Sequence, residues 1–253
     1  MSNEQIFVIL PAYNAARTLE RTIAEIPTAY RQNLLLTDDC STDNTVEVAR
    51  SLGLQVIVHE SNTGYGGNQK TCYTAALAQG ATVMVMLHPD HQYDASIIPQ
   101  LVQPIIDKKA DAVFGSRMLG HRPLDGGMPR WKYNANVLLT ACANLVFGRY
   151  LTETHSGFRA YSRKYLETVH FEMNSDDFVF DMQIIAQGMA NNLIFYEVPI
   201  VTRYFPEASS IGLKRSLVYG FGILKVLSRY ILHRQGIIKF PDLLPTSCNQ
   251  PIE

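Results

Sequence analysis

A chain of 253 residues, 47% hydrophobic and 18% charged, can bury the core of one large α/β domain or two small ones and is globular rather than disordered. Its net charge of -1 offers no electrostatic case for a nucleic-acid partner, and no apolar run reaches the roughly 18 residues of a membrane-spanning helix. Cys40, Cys72, Cys142 and Cys248 are scattered without zinc or redox spacing, and the polar start Met1–Gln5 lacks a signal-peptide pattern, so a reducing cytoplasm is the expected setting.

In chain order, the pattern predicts strands at Ile6–Leu10, Asn33–Asp38, Gln55–His59, Thr82–Leu87 and Ala112–Ser116. Between them, helical patterns fall at Arg17–Ile26, Asp43–Ser51, Gly67–Gln79 and Ala95–Lys108. Short strands alternating with longer helices imply βαβ units, right-handed crossovers and a mostly parallel sheet with helices on both faces. The carboxyl ends of all its strands then share one rim. Onto that rim fall Pro11–Asn14, Asp38–Asp39, Glu60–Gly64 and His88–Gln92. From Gly120 the pattern changes: a turn-rich loop to Pro129, expected to be mobile, then a helix at Trp131–Phe147. After the segment Ser156–Tyr161 come a helix at Phe178–Ala190, a strand at Leu193–Val198, a long helix at Ile211–His233 and a tail expected to fray from Pro241.

Asp38 and Asp39 are the most informative pair. They close the apolar run Leu34–Leu36 and precede Ser41-Thr42-Asp43. A helix cap needs one side-chain oxygen, and Ser41 or Asp43 supplies it, so the paired acids are free to face a ligand beyond the strand.

These two strand ends, with Pro11, Tyr13 and Asn14 on the first, resemble the start of a family 2 glycosyltransferase. The resemblance runs from about Ile6 to Arg203 and implies the GT-A fold, a Rossmann-like α/β architecture that binds a nucleoside-diphosphate sugar, UDP- or GDP-linked. It implies a domain over 1–207, with the nucleotide-sugar half to about 118 and the acceptor half from 119, followed by a basic helical segment to 240. In that family an Asp-x-Asp motif after the fourth strand holds a divalent cation, Mn2+ or Mg2+, on the diphosphate. The dolichyl- and polyprenyl-phosphate sugar transferases extend it to Asp-x-Asp-x-Gln. This chain reads His88-Pro89-Asp90-His91-Gln92, so Asp90, Gln92 and His88 are the candidate metal residues and the first acid is replaced by imidazole. Mn2+ tolerates that ligand better than Mg2+ does. Asp94 is expected only to begin the next helix.

The same resemblance sets Asn62, Gly64 and Gly67 of Asn62-Thr-Gly-Tyr-Gly-Gly-Asn68 beside the nucleotide, together with Asp38, Asp39 and Asp90. For the acceptor it implies Arg117, Arg130 and Lys132 as holders of a lipid phosphate, with Ser156 and Arg159 of Ser-Gly-Phe-Arg nearby. Glu197-Val-Pro199 also follows the family pattern. The acidic helix start of relatives, Phe-Asp-x-Glu, is here Phe180-Asp181-Met182-Gln183. For a hydroxyl acceptor Asp181 is the general base, whereas a phosphate acceptor is already an anion. The expected reaction is transfer to polyprenyl phosphate with inversion at the anomeric carbon. Transfer to a soluble or polysaccharide hydroxyl, and an inactive sugar-nucleotide-binding scaffold, remain open alternatives.

Ala208–Phe240 carries six basic residues and no acid. Lys214, Arg215, Lys225 and Arg229 share one helical face, with Leu217, Phe221, Ile223, Leu224, Leu227 and Ile231 filling much of the rest. Such a helix over 211–235 either packs its apolar face on the domain or lies in the inner face of a membrane as a peripheral anchor.

Overall fold

The structure, a computed structural model, describes residues 4–119, 123, 124, 126–204 and 213–246. Strands β1 (Ile6–Ala12), β2 (Leu34–Asp38), β3 (Gln55–Val58), β4 (Val83–Met86), β5 (Ala112–Ser116), β6 (Arg159–Ser162) and β7 (Phe195–Pro199) form one sheet in the order β3-β2-β1-β4-β6-β5-β7. All neighbours run parallel except β6, which pairs antiparallel with both β4 and β5.

Alternation along the central strands feeds two cores. Phe7, Ile9, Met84 and Met86 point to one face, and Val8, Leu10, Val83 and Val85 to the other. Helices α1 (Leu19–Glu25), α2 (Thr45–Ser51) and α4 (Ile98–Ile106) cover the second face. The first is covered by α3 (Gly64–Ala78), α5 (Arg130–Phe147), α6 (Arg163–Thr168), α7 (Phe180–Ala190) and α8 (Leu213–Arg234). The α/β, mostly parallel architecture read from the sequence is therefore the one observed.

Three corrections follow. Strand β6 and helix α6 are additions, because a four-residue strand led by arginine gives no apolar run to read. Arg159 is tolerated there because its guanidinium lies 4.8 Å from the Phe114 ring centroid and donates to the carbonyls of Ser156 and Thr154. The tail is docked over Pro241–Leu243, a 3-10 turn whose Leu243 is buried and whose carbonyl accepts from Asn191. Residues 247–253, Cys248 among them, lie outside the described residues, as do Gly120–Arg122 and Asp125 of the loop expected to be mobile, and 205–212. At the remaining end of that loop Met128 is buried.

Candidate active site

The carboxyl ends of β1, β2 and β4 open into a cleft of about 1520 Å3. Pro11, Tyr13 and Asn14 from the end of β1 line it, with Asp39, Asn62 and Gly64, then His88, Asp90 and Gln92. Arg117, Lys132 and Asp181 face the same space. The clusters expected on one rim thus do converge.

The turn after β1 is tied to the loop after β2 by hydrogen bonds at Asn14. Asn14 sits in the left-handed region at φ 52°, its side-chain oxygen accepts from the Thr42 N–H at 2.9 Å, and its own N–H donates to Ser41 Oγ at 2.8 Å. Asp43 accepts from the Thr45 N–H at 3.0 Å, so the start of α2 is capped without the paired acids.

The paired acids separate. Asp39 Oδ1 accepts from His59 Nδ1 at 2.8 Å, from the Thr63 N–H at 2.7 Å and from Thr63 Oγ1 at 2.8 Å, while Oδ2 accepts from the Gly64 N–H at 3.0 Å. Burial raises the Asp39 pKa, but these donors outweigh it and hold the carboxyl below the usual range. Asp38 is buried, does not line the cleft, and accepts from the Ser41 N–H at 2.9 Å. Its other oxygen, Oδ1, is buried with no hydrogen-bond partner, so of the expected pair Asp39 alone lines the cleft and Asp38 lies beneath it with one acceptor unmet.

The glycines divide likewise. Gly64 lines the cleft at φ 88°, whereas Gly67 faces the Thr63 side chain and Gly66 lets α3 approach the Ser175–Asp176 backbone. Gly67 thus serves packing, contrary to its expected place beside a nucleotide.

Asp90 and Gln92 act as a unit: Gln92 donates through its N–H to Asp90 Oδ1 at 3.1 Å and through Nε2 to Oδ2 at 2.9 Å. His88 lies between Tyr65, whose hydroxyl is 3.3 Å from Nε2, and Gly157, where a Cβ would fall 2.6 Å from the same nitrogen. Burial lowers the His88 pKa more than Asp90 and Asp181 raise it. No three His, Cys, Asp or Glu side chains among the described residues form a ready cage for a metal. A carboxylate and an imidazole in one cleft fit an open cation site completed by substrate oxygens and water. As expected, Asp94 merely starts the next turn, accepting from the Ser96 N–H.

Lys132 and Asn136 lie one turn apart on α5 and both line the cleft. Asn136 is 8% exposed, and its side-chain nitrogen is buried with no hydrogen-bond partner. Burial first and Arg117 second lower the Lys132 pKa. Both effects favour an oxyanion there. Arg130 is exposed, outside the cleft lining, and so is not placed for the acceptor role expected of it. Arg117 is buried: its N–H and Nε donate to Glu153 at 2.8 Å each, and Nη2 pairs with the same carboxylate. It faces the cleft with its charge already matched.

Ser156 and Arg159 are buried beneath the floor, and neither lines the cleft, which corrects their expected contact with acceptor. Arg159 instead pairs with Asp181 Oδ1 at 3.4 Å. Asp181 also accepts from the Tyr65 hydroxyl at 2.9 Å and from Gln69 Nε2 at 3.4 Å. Gln183 is turned away and accepts from the Ser175 N–H at 2.7 Å. Sequence reasoning passed over Tyr65, Asn136, His155 and Tyr219, all cleft-lining. For Asn136 and Tyr219 the signal was helical spacing, four residues on from Lys132 and Arg215, whereas Tyr65 and His155 are direct chain neighbours of Gly64 and Ser156.

Tyr219 of α8, also in the cleft lining, contacts His155 Nδ1 at 3.1 Å, and burial pushes the His155 pKa down to about 4. Arg215 and Ser216 of α8 also line the cleft. The basic face expected on this helix is reduced, because Arg229 pairs with Asp242 at 2.7 Å and stacks on Phe240. The side chain of Lys214 lies outside the described residues. Ile223 and Leu227 are buried, while Leu217, Phe221 and Leu224 remain exposed. No helix among the described residues is long and apolar enough to cross a membrane.

Comparison with known proteins agrees with this geometry. The family model Glycosyl transferase family 2 matches residues 7–169. An uncharacterised protein of Methanocaldococcus jannaschii is 29% identical over 224 residues, covering 88% of this chain and 91% of that protein. The UDP-N-acetylglucosamine–dolichyl-phosphate N-acetylglucosaminyltransferase of Methanococcus voltae is 26% identical over 253 residues, covering 93% and 98%. Glucosyl-3-phosphoglycerate synthase from Mycobacterium tuberculosis, solved in complex with Mn2+, UDP and glucosyl-3-phosphoglycerate, superposes with a TM-score of 0.68 at 18% identity, over 91% of this chain and 81% of that one. The seven-stranded mixed sheet is the GT-A fold of that enzyme. With the family model spanning more than half of its length, the chain belongs to glycosyl transferase family 2 and is a glycosyltransferase that uses a nucleotide sugar.

Proposed function

We propose that this enzyme transfers a sugar from a UDP- or GDP-sugar, with a divalent cation, to the phosphate of a polyprenyl phosphate, inverting the anomeric carbon. One observation carries the acceptor: the two helices that wall the acceptor side of the cleft also present unpartnered apolar side chains outward. On α5, Leu138 and Leu145 stand seven residues apart and are exposed, Leu145 by 86%, while Trp131, seven residues earlier, is half-exposed at the cleft lining. On α8, Leu217, Phe221 and Leu224, spaced by four and three residues, are exposed on one face, Phe221 by 72%. The two helices pack on each other and on one core, so a chain leaving the cleft between them meets apolar surface. The dolichyl-phosphate relative supports the same acceptor class.

In this reading Pro11–Asn14, Asp39 and the Asn62–Gly64 loop hold the nucleoside, and Asp90 and His88 hold the cation. That cation would neutralise charge on the departing diphosphate. Lys132 and Asn136 hold the acceptor phosphate, with the Arg117–Glu153 pair behind them. A phosphate nucleophile needs no general base, which suits Asp181, whose oxygens are already engaged by Tyr65, Gln69 and Arg159. Catalysis then rests on alignment of the reactants and charge neutralisation.

Steady-state kinetics with a short polyprenyl phosphate test this. Lys132→Ala and Asn136→Ala should each raise the acceptor KM, by about tenfold for one lost charge-assisted hydrogen bond, with donor KM nearly unchanged. An acceptor KM unmoved in both variants excludes this subsite.

A further inference from the structure

We propose that Tyr65 is a positioning residue: its hydroxyl, donating to Asp181 and accepting from His88, fixes the imidazole in the Nε2–H tautomer and leaves Nδ1 as the nitrogen that can ligate a divalent cation beside Asp90. This deepens the proposed function and rests on its cation.

A phenol has one proton, and Tyr65 spends it on Asp181 Oδ2 at 2.9 Å. Asp181 is ion-paired with Arg159 at 3.4 Å and accepts from Gln69 at 3.4 Å, so it serves as acceptor in this network. The contact of 3.3 Å between the Tyr65 hydroxyl and His88 Nε2 can then be made only with the proton on Nε2. With Nε2 holding its proton against Tyr65, Nδ1 is the ring nitrogen left to offer a lone pair to a metal.

Packing holds the same orientation independently. The Tyr65 and His88 rings stack with centroids 5.5 Å apart, and Tyr65 is backed by Phe178 at 4.7 Å. Gly157 closes the other side, since any Cβ there would meet Nε2 at 2.6 Å. Fixing one ring nitrogen with an outer partner so that the other can bind metal is a general device of histidine ligands. Here the outer partner is a tyrosine that joins the diphosphate end of the cleft to Asp181. An imidazole ligand should make the site favour Mn2+ over Mg2+, which binds imidazole poorly.

Two measurements test this without reference to turnover. Long-range 1H–15N spectra of the histidine-labelled apo-protein, with His88→Gln to assign the signal, should show His88 as Nε2–H; Tyr65→Phe, which keeps the ring stack, should release that lock. Binding of Mn2+ and of Mg2+ in the presence of UDP or GDP should show a Mn2+ preference that falls at least tenfold in His88→Ala and falls in Tyr65→Phe. His88→Asp should move the preference toward Mg2+. An Nδ1–H tautomer in the wild type overturns the proposal, as does a Mn2+/Mg2+ ratio unchanged in His88→Ala while metal still binds. If the wild type binds neither metal, the cation reading fails as well, and the apo-protein spectrum still decides what Tyr65 does.

Discussion

Asp39 shows how one carboxylate can be legible in sequence while its work is not. Its place after a strand marked it, but the loop that brings four donors to it from His59, Thr63 and Gly64 lies about twenty residues on. Its partner Asp38 looked equivalent, yet it lies buried beneath the cleft. Because the folded pKa of Asp39 is depressed, its ionised form adds stability that is fully present above its unfolded pKa of about 4 and is lost as pH falls from there through the lower folded pKa. Asp39→Asn should therefore be less stable than wild type at pH 7, with the gap narrowing below about pH 4 in urea titrations. A gap constant across that range removes the ionised carboxylate from the account. The same network should make Asp39→Asn bind nucleotide more weakly, since Asn62–Gly64 loses its anchor. Arg117→Ala is a poor probe of the acceptor by comparison. It strands the buried Glu153, so it reads folding before it reads binding.

At the scale of elements, the parallel half of the sheet was readable because apolar runs alternate with helical periods. Strand β6 was not, since Arg159 owes its burial to Asp181 and Phe114, both remote in sequence. The amphipathic character of α8 was readable too, but not which of its basic residues stay free. Asp242 and Phe240 take Arg229, and Arg215 turns to the cleft. What remains outward is chiefly apolar, on α5 as on α8. Membrane contact should accordingly depend more on Leu138 and Phe221 than on charge. A large side chain moved from water contributes about 1.5–3 kcal/mol, against about 1 kcal/mol for each basic residue near anionic lipid. The double variant Leu138→Asp/Phe221→Asp should bind phosphatidylglycerol-containing vesicles at least tenfold more weakly in co-sedimentation. Lys225→Gln should cost only a few-fold and only at low salt. Equal binding by wild type and the double variant would mean that this face meets no membrane.

At the scale of the molecule, one sheet gathers the whole site. The ends of β1, β2 and β4 carry the groups assigned to donor and cation, and α5 with α8 closes the acceptor side. Only the rim could be foreseen. The depth order of Ser156 and Arg159 below it, and of Lys132 and Asn136 beside it, depends on how α5 crosses the sheet, which local sequence does not encode. The most direct measurement is transfer of labelled sugar from UDP- and GDP-sugars to a short polyprenyl phosphate with Mn2+ present, read as label extracted into organic solvent. The wild type should yield labelled lipid phosphate with one of the donors, and Asp90→Ala should lower the rate at least a hundredfold while leaving the thermal unfolding of the apo-protein unchanged. Label that never enters the organic phase, but appears instead on a soluble hydroxyl acceptor, would contradict the account.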